Sequence, residues 1–264
     1  MNLMHERLKT VLYPLITFAV LLAVWEIAIR VFKVPNFILP TPVSVVQALY
    51  RGYVEGLYWQ HFFFTLQSML FGYLLGCTLA FMLGCLFAES RTFERMLYPF
   101  VVALQSMPKV ALAPLIIVWF GFGIESKIVM VALVCFFPMF INTAMGLKHT
   151  NPALLDLMNA FSASRWHILT RIKIPSAAGH IFAGLQIAIV LGLIGAVVAE
   201  FVSSTKGLGH LINASAVNLE TNTMFAALLS LAVLGILGSQ VVRLLHAKVV
   251  FWDKQASSQA IVSE

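Results

Sequence analysis

Charged residues are scarce in this sequence. Asp, Glu, Lys and Arg make up 11% of its 264 residues, and 60% of the residues are hydrophobic. Ordinary soluble domains are about 25% charged and about 45–50% apolar. One soluble core cannot bury so large an apolar excess, so the composition excludes an ordinary soluble domain and indicates a polytopic membrane protein. The formal net charge of +6 does not predict a nucleic-acid partner, because the basic residues lie between apolar runs, as they do in loops of membrane proteins.

The sequence also lacks the short motifs of common enzymes and nucleotide-binding proteins. It contains no GxxxxGK[ST] phosphate-binding loop, no HExxH and no GxSxG. Its three cysteines, Cys77, Cys85 and Cys135, lie in apolar segments without CxxC spacing, which favours buried thiols over a metal site or a disulfide. We therefore predict no catalytic residue, no metal site and no cofactor in this chain.

Long apolar segments are what the sequence has in abundance. A helix needs about twenty apolar residues to cross the hydrocarbon layer, and six segments are long enough, which predicts an all-α protein with six transmembrane helices. They cover residues 13–32, 61–88, 96–120, 127–147, 178–202 and 223–246. The basic N-terminus has no clean small-residue cleavage site after its apolar run, so we expect a retained first span rather than a removed signal peptide.

The distribution of Lys and Arg predicts the orientation of these spans. With six spans both termini lie on one side, and that side would hold eleven of the 17 basic residues. These eleven are Arg7, Lys9, Arg91, Arg95, Lys148, Arg165, Arg171, Lys173, Arg243, Lys248 and Lys254. The loops of the other side would hold five, Arg30, Lys33, Arg51, Lys127 and Lys206, and Lys109 lies within a span. Cytoplasmic loops are enriched in Lys and Arg, so we predict that both termini and the loop 148–175 are cytoplasmic.

Small residues and prolines distinguish some spans from the others. Every fourth residue is Gly or Ala from Gly72 to Ala88 and again from Gly184 to Ala196, which predicts close helix packing within the subunit or across a dimer. The third and fourth spans contain Pro99, Pro108, Pro114 and Pro138. Because a proline frees a helical carbonyl, which neighbours or a water-filled cavity must satisfy, these two spans are candidates for lining a translocation pathway.

The loop 148–175 is basic and has a helical pattern. Asn151-Pro152 is typical of a helix start, and Leu154, Leu155, Met158 and Phe161 follow at helical spacing. Ser162 and Ser164 interrupt the pattern before a second short helix, so the sequence predicts helix, turn, helix. From the residues alone, two roles remain open: an amphipathic pair lying on the lipid surface, or a helix that binds a groove on a cytoplasmic partner.

This loop resembles the coupling motif of ABC-importer permeases, which is Glu-Ala-Ala, three residues, Gly, nine residues, Ile-x-Leu-Pro. Aligning the motif's end on Ile172-Lys173-Ile174-Pro175 places Ser162 at the glycine position and Asp156-Leu157-Met158 at Glu-Ala-Ala. The spacing fits, although several letters differ. Serine at the glycine position adopts a positive φ only at a cost, so the turn is expected to differ in detail.

The resemblance covers most of residues 38–212 and is to the nitrate/sulfonate/taurine-type branch of these permeases. It rests on ILPTPVSVVQAL (38–49), SMPKVALAPLIIVWFGFGIESKI (106–128), FFPMFINTAMGL (136–147) and IFAGLQIA…GAVVAEFVSSTKGLGHLI (181–212). It implies a type I ABC importer permease fold of the bacterial inner membrane, with residues 1–264 as one transmembrane permease domain and 148–175 as its cytoplasmic coupling loop. It further implies a second copy of the permease, two ATPase subunits that bind ATP and Mg, and a periplasmic or lipid-anchored substrate-binding protein.

The resemblance assigns the loop residues to contact with the ATPase. The candidate ATPase-coupling residues are Asp156, Met158, Ala160, Phe161, Ser162, Ala163, Arg165 and Pro175. The substrate class of this branch is a small anionic or heterocyclic solute, such as a sulfonate, nitrate, taurine, a thiamine precursor or an aromatic acid.

Five polar residues within or beside the spans are candidates for lining the pathway: Gln105, Lys109, Asn142, Gln186 and Glu200. Lys109 would attract an anion if it lines the pathway, or its side chain would extend to the cytoplasmic surface if the third span begins later. Glu200 would gate, pair across a dimer, or be a capped and solvated carboxylate. Gln105, Asn142 and Gln186, which are uncharged, would contact substrate or hydrogen-bond to a neighbouring helix.

Two other functional classes are weighed against the permease. A secondary transporter that works without an ATPase would be favoured by inverted repeats or paired membrane acids, and the sequence contains neither clearly. An integral-membrane enzyme would need catalytic clusters, which the sequence lacks.

Overall fold

The computed structural model describes residues 2–252, apart from the side chains of residues 2–11, 14, 15 and 91. Four of the eleven basic residues in the orientation count, Arg7, Lys9, Arg91 and Lys254, therefore lie outside the described side chains. All regular secondary structure in residues 2–252 is helical. The helices, in chain order, are α1 (Asn2–Phe32), α2 (Pro42–Val54), α3 (Trp59–Glu89), α4 (Arg91–Ser106), a 3-10 turn (Lys109–Leu112), α5 (Ala113–Phe120), α6 (Ile124–Lys148), α7 (Pro152–Ala160), α8 (Arg165–Ile168), a π-helical segment (Leu169–Lys173), α9 (Ile174–Ser176), α10 (Ala178–Ser203), α11 (Leu208–Val217) and α12 (Thr221–Val249).

Four of these helices, α3, α6, α10 and α12, are each long and apolar enough to cross a membrane. They coincide with four of the predicted spans. A fifth candidate is the bent pair formed by Thr92–Ser106 and Lys109–Phe120, whose axes differ by 87°. The first predicted span, 13–32, falls in α1, whose side chains are described only in part, so its membrane crossing stays a prediction.

The bent pair crosses from one end of the helix bundle to the other rather than returning to the end from which it starts. A methyl group at Gly72 would lie 2.5 Å from Val131 Cβ, and one at Gly84 would lie 2.9 Å from Thr143 Cβ. The contacts advance in the same order along both helices, so α3 and α6 are parallel. The chain must therefore cross back to the side of the bundle on which α3 begins before α6 starts. The segment formed by α4 and α5 makes this crossing.

The break in this span lies at Met107-Pro108, between α4 and the 3-10 turn. Pro99 lies inside α4, Pro114 lies at the start of α5, and Pro138 lies inside the uninterrupted α6. Proline at the first positions of a helix sacrifices no hydrogen bond. Of the four prolines in these two spans, only Pro108 coincides with a break.

Both rows of small residues pack on α6, the central helix. A methyl group at Gly76 would lie 2.4 Å from the carbonyl oxygen of Ala132, and one at Gly192 would lie 2.7 Å from Cys135 Sγ. Such distances are shorter than atoms tolerate, so α3 and α10 approach α6 because these positions have no side chain. The structure thus assigns the rows to packing within one subunit, one of the two predicted roles.

The ends of the helices form two distinct groups. The coupling loop, the end of α3 and the end of α6 lie at one end, where Lys173 and Lys148 bridge to Glu89 and Glu94. We call this the inner end. The starts of α3, α6 and α12 and the end of α10 lie at the opposite, outer end, as the contact between Thr221 and Asn36 and that between Lys127 and Ser203 indicate.

Candidate functional site

The candidate functional site is the exposed helical pair at the inner end, α7 and α8. Asn151 caps α7 by accepting a hydrogen bond from the amide of Ala153 at 2.9 Å, and Pro152 is the first helical residue. Ser164 caps α8 by accepting from the amide of His167 at 3.2 Å. Helix, turn and helix thus form where the sequence predicts them, because each helix has its own polar cap.

The turn between the two helices is a Schellman motif. The amide of Ser162 donates to the carbonyl of Asn159 at 2.9 Å, and the amide of Ala163 donates to that of Met158 at 3.0 Å. This motif requires a residue in the left-handed region just after the helix, usually glycine. Ser162 has φ = 56°, so serine adopts here the conformation that favours glycine.

Two large aromatic side chains of this pair are turned to the outside, among exposed polar residues. The side chains of Phe161 and Trp166 are 75% and 73% exposed, although aromatic residues of this size are usually well buried. Of the predicted coupling residues, Asp156, Ala160, Phe161, Ser162 and Arg165 are exposed, and Met158, Ala163 and Pro175 are half-buried. The structure therefore brings the eight residues to one loop and its junction with α10.

The helical pair is fastened to the helix core beneath it. Lys173, at the end of the π-helical segment, donates to Glu89 at the end of α3 at 2.5 Å. Lys148, the last residue of α6, bridges to Glu94 of α4 and lies 5.0 Å from the Phe87 ring centroid. Ile168 and Leu169 are buried. Lys173 therefore joins the loop to the end of α3, and Lys148 joins the end of α6 to α4.

Two of the five pathway candidates lie together at the break of the bent span. Lys109 Nζ donates to the carbonyl of Gln105 at 3.1 Å and lies 4.6 Å from the Phe137 ring centroid. Gln105 is exposed and Lys109 is half-buried. Because Phe137 lies near the middle of α6 (Ile124–Lys148), the ammonium group of Lys109 lies level with the middle of the helix core.

Asn142 and Gln186 are half-buried on the two helices that pack against each other, α6 and α10. Asn142 donates to the carbonyl of Pro138 at 2.8 Å, one turn earlier in α6. A methyl group at Gly184 of α10 would lie 2.9 Å from Asn142 Cβ. Asn142 thus lies at the contact between these helices, and one N–H of its side-chain amide donates to its own helix.

Glu200 is buried at the outer end, far along α10 from the coupling loop. Its side chain is 1% exposed. Oε1 accepts from the hydroxyl of Thr65 at 2.8 Å, and Oε2 accepts from the amide of Gly209 at 2.7 Å. The carboxylate is therefore shielded from solvent, and its bonds within the subunit join α10 to α3 and α11.

Lys127 is a residue that the sequence analysis missed. The charge count treats it as an outer-loop cation, whereas in the structure it lies within the first turn of α6 with no exposed surface. A lysine that opens one apolar segment and an acid near the end of another, Glu200 in the fifth span, could have indicated buried charges at one end of the bundle. Spacing along the chain cannot show that Lys127 contacts Ser203 at the end of α10.

Comparison with known proteins identifies the chain's relatives. The model of the family described as binding-protein-dependent transport system inner membrane component matches residues 72–251. The chain is 38% identical to a probable ABC transporter permease protein of Haemophilus influenzae, over 83% of this chain and 89% of that one. It is 33% identical to the formylaminopyrimidine transport permease protein ThiX of Halalkalibacterium halodurans, over 95% and 99%, and 36% identical to the riboflavin transport system permease protein RibX of Chloroflexus aurantiacus, over 90% and 89%.

A solved structure has the same fold. The MetNI methionine ABC transporter in an inward-facing conformation superposes with a TM-score of 0.54 at 16% identity, over 70% of this chain and 93% of that one. This confirms the predicted all-α type I importer fold. The family match, which covers more than half of the chain, decides against a secondary transporter. The chain belongs to the binding-protein-dependent transport system inner membrane component family, the permeases of ABC importers.

Proposed function

We propose that residues 1–264 form a single permease domain that receives its driving force through the loop 148–175. In this proposal a separate ATPase subunit binds the α7–α8 pair in a groove on its surface. The exposed Phe161 at the Schellman turn is the observation on which the proposal rests, since helix-in-groove complexes depend on exposed apolar anchors at one face. The chain has no phosphate-binding loop of its own, so ATP and Mg would be bound by the partner.

The proposed assembly contains two copies of this permease, two ATPase subunits at the inner end and a periplasmic or lipid-anchored substrate-binding protein at the outer end. The inner end is the cytoplasmic one in this proposal, with both termini on that side. The excess of Lys and Arg at the loop and at the inner helix ends supports this orientation. Surrounding lipid covers the apolar outer surfaces of α3, α6, α10 and α12.

The proposed substrate is a small anionic or heterocyclic solute of the sulfonate, nitrate, taurine, thiamine-precursor or aromatic-acid class. Relatives named for formylaminopyrimidine, riboflavin and aliphatic sulfonates support this class. Lys109 supports it as well, because a lysine level with the middle of the core is costly unless it is hydrated or meets an anion. In this proposal Gln105 and Lys109 line the pathway at the break, and Asn142 and Gln186 contribute from α6 and α10.

The structure suggests how movement would pass from the loop to the pathway. The π-helical segment leads directly into α9 and α10, and the bridge from Lys173 to Glu89 joins the same segment to α3. Because α3 and α10 both lie against α6 without intervening side chains at Gly76 and Gly192, the three helices would move as one body. The bent span is the element that can change its angle relative to them.

Substitution of Ala160 tests this proposal. Ala160 is exposed, so Ala160→Glu leaves the fold intact but places a charge without a partner in the proposed interface, which costs several kcal/mol. We expect the partner ATPase to co-purify with the variant in mild detergent at no more than about a tenth of the unmodified yield. His167→Gln, exposed on α8, is the matched control and should retain the ATPase. Recovery of the ATPase with Ala160→Glu at the unmodified yield would contradict the proposal.

A further inference from the structure

Lys127 and Glu200 lie in one buried cluster at the outer end of the helix core. The side chain of Lys127 is 0% exposed and that of Glu200 is 1% exposed. Burying a charged group costs several kcal/mol unless polar partners replace its hydration. Apolar residues of similar size would satisfy the packing at lower cost. The partners of the two charges therefore indicate what the cluster does.

Lys127 binds the carboxyl-terminal ends of two other segments. Its ammonium group donates to the carbonyl of Phe122, which follows α5, at 2.9 Å, and to the carbonyl of Ser203, the last residue of α10. Carbonyl groups at a helix end have no partner within the helix and carry partial negative charge, which favours a cation there. One lysine thus joins the end of α10 to the loop after α5.

Glu200 binds the start of another helix. It accepts from the amide of Gly209 in the first turn of α11, and the hydroxyl of Thr65, which donates to Glu200, accepts from the amide of Leu208 at 2.8 Å. The amide groups of a first helical turn favour an anion. Gly207, with φ = 110°, precedes this turn, and a methyl group there would lie 2.3 Å from the Glu200 carboxyl carbon.

The two side chains therefore connect α10 to its neighbours at the end opposite the coupling loop. The outer half of the bent span, α5, is separated from α4 by the break at Pro108, so α4 alone does not fix its position. Its following loop is held by Lys127. The start of α11 is held by Glu200, one helical turn before Ser203.

We propose that Lys127 and Glu200 are positioning residues that fasten α5 and α11 to the outer end of α10, so that a displacement begun at the coupling loop reaches the outer half of the bent span. This inference rests on the proposed function of the loop. Ala113 and Ile116 of α5 pack against Met130 and Ala199, and Lys127 adds a polar connection between the loop after α5 and the end of α10. Glu200 holds the start of α11.

Hydrogen exchange of the permease in complex with its ATPase, with and without ATP and vanadate, tests this inference. In the unmodified complex we expect the nucleotide to change exchange both at the inner segment 152–168 and at the outer segment 118–124. In Lys127→Met the inner change should remain, and the outer change should fall about tenfold, the effect on an equilibrium of losing one charge-assisted hydrogen bond. ATP hydrolysis should continue, because the ATPase contact is untouched.

A double variant separates positioning from a general change in stability. Lys127→Met removes the donor to the carbonyl groups of Phe122 and Ser203, so its thermal stability should fall. Adding Glu200→Gln removes a buried charge but also one acceptor, because glutamine cannot accept from both Thr65 and Gly209, so the double variant should recover neither full stability nor the outer change. Lys206→Met, an exposed lysine at the same end, is the control and should behave as the unmodified complex. An outer change that persists in Lys127→Met, or that returns in the double variant, would overturn the inference. No nucleotide effect at segment 152–168 of the unmodified complex would overturn the proposed function, and the inference with it.

Discussion

At the scale of the residue, the coupling loop depends on Ser162. Its φ of 56° is a conformation that costs residues other than glycine about 1 kcal/mol or more. The Schellman hydrogen bonds from Ser162 and Ala163 hold the residue there, and the two helices take their relative direction from this turn. The side chain of Ser162 is exposed, so its replacement does not disturb the core.

Replacing Ser162 by glycine should stabilise the turn. Glycine adopts positive φ without a steric penalty, and a gain of about 1 kcal/mol slows local opening roughly fivefold. We expect the backbone amides at positions 162 and 163 to exchange more slowly in Ser162→Gly than in the unmodified protein.

The β-branched variant Ser162→Val is the matched opposite change and should accelerate exchange at the same amides, since its side chain is disfavoured at positive φ. Faster exchange in Ser162→Gly than in Ser162→Val would show that the strain assigned to Ser162 is absent.

Residue-scale prediction from the sequence succeeds where a local pattern is sufficient and fails where the environment is set by other helices. The helix starts at Asn151 and after Ser164 follow from local patterns, and both form. The glycine-like position of Ser162 follows from the resemblance to the coupling motif, and Ser162 adopts a positive φ. The environments of Lys127 and Glu200 are set by the carbonyl of Ser203 and the hydroxyl of Thr65, which are distant along the chain. A charge count alone therefore assigned Lys127 to a loop.

At the scale of the element, the close contact of α3 with α6 depends on glycine. Gly76→Ala would place a methyl group 2.4 Å from the Ala132 carbonyl oxygen and 2.8 Å from Ala132 Cα. These are backbone atoms, so the helices must separate. Overpacking of this kind costs about 1–3 kcal/mol, which exceeds the gain in helix propensity of about 1 kcal/mol from replacing glycine by alanine.

We expect Gly76→Ala to lower the temperature at which the detergent-solubilised permease loses its monodisperse peak in size-exclusion chromatography. Gly195→Ala in α10 is the matched control, because its methyl group would lie 3.3 Å from Val134 Cγ2 and 3.5 Å from Val131 Cα, near ordinary contact distance. It should be close to the unmodified protein. If the two variants lose their peaks at the same temperature, the contact between α3 and α6 is looser than the structure indicates.

For the helices, the sequence predicts which surfaces pack closely but not which helices they pack against. A repeat of small residues indicates that another backbone can approach, and it does not say which one. Prolines likewise indicate four places where a span could break, and only Pro108 does. Pro114 is compatible with the start of α5, and the uninterrupted helix around Pro138 packs against both rows of small residues.

At the scale of the whole molecule, one packed core joins the two ends to which we assign functions. The exposed α7–α8 pair lies at the inner end, and Lys127 and Glu200 lie at the outer end. Between them α3 and α10 pack closely on α6, and the bent span contains the break. The family and the fold follow from the sequence resemblance, whereas this division of the molecule follows only from contacts between distant segments.

The orientation and the coupling role of the loop can be tested together by photo-cross-linking in intact cells. A benzophenone side chain in place of Phe161, 75% exposed at the inner end, is compared with one in place of Leu57, 58% exposed at the outer end. The account predicts that position 161 forms a covalent product with a protein that contains a GxxxxGK[ST] loop, and that position 57 does not. A product with such a protein from position 57, or only lipid adducts from position 161, would contradict the claim that this loop is where the ATPase acts on the permease.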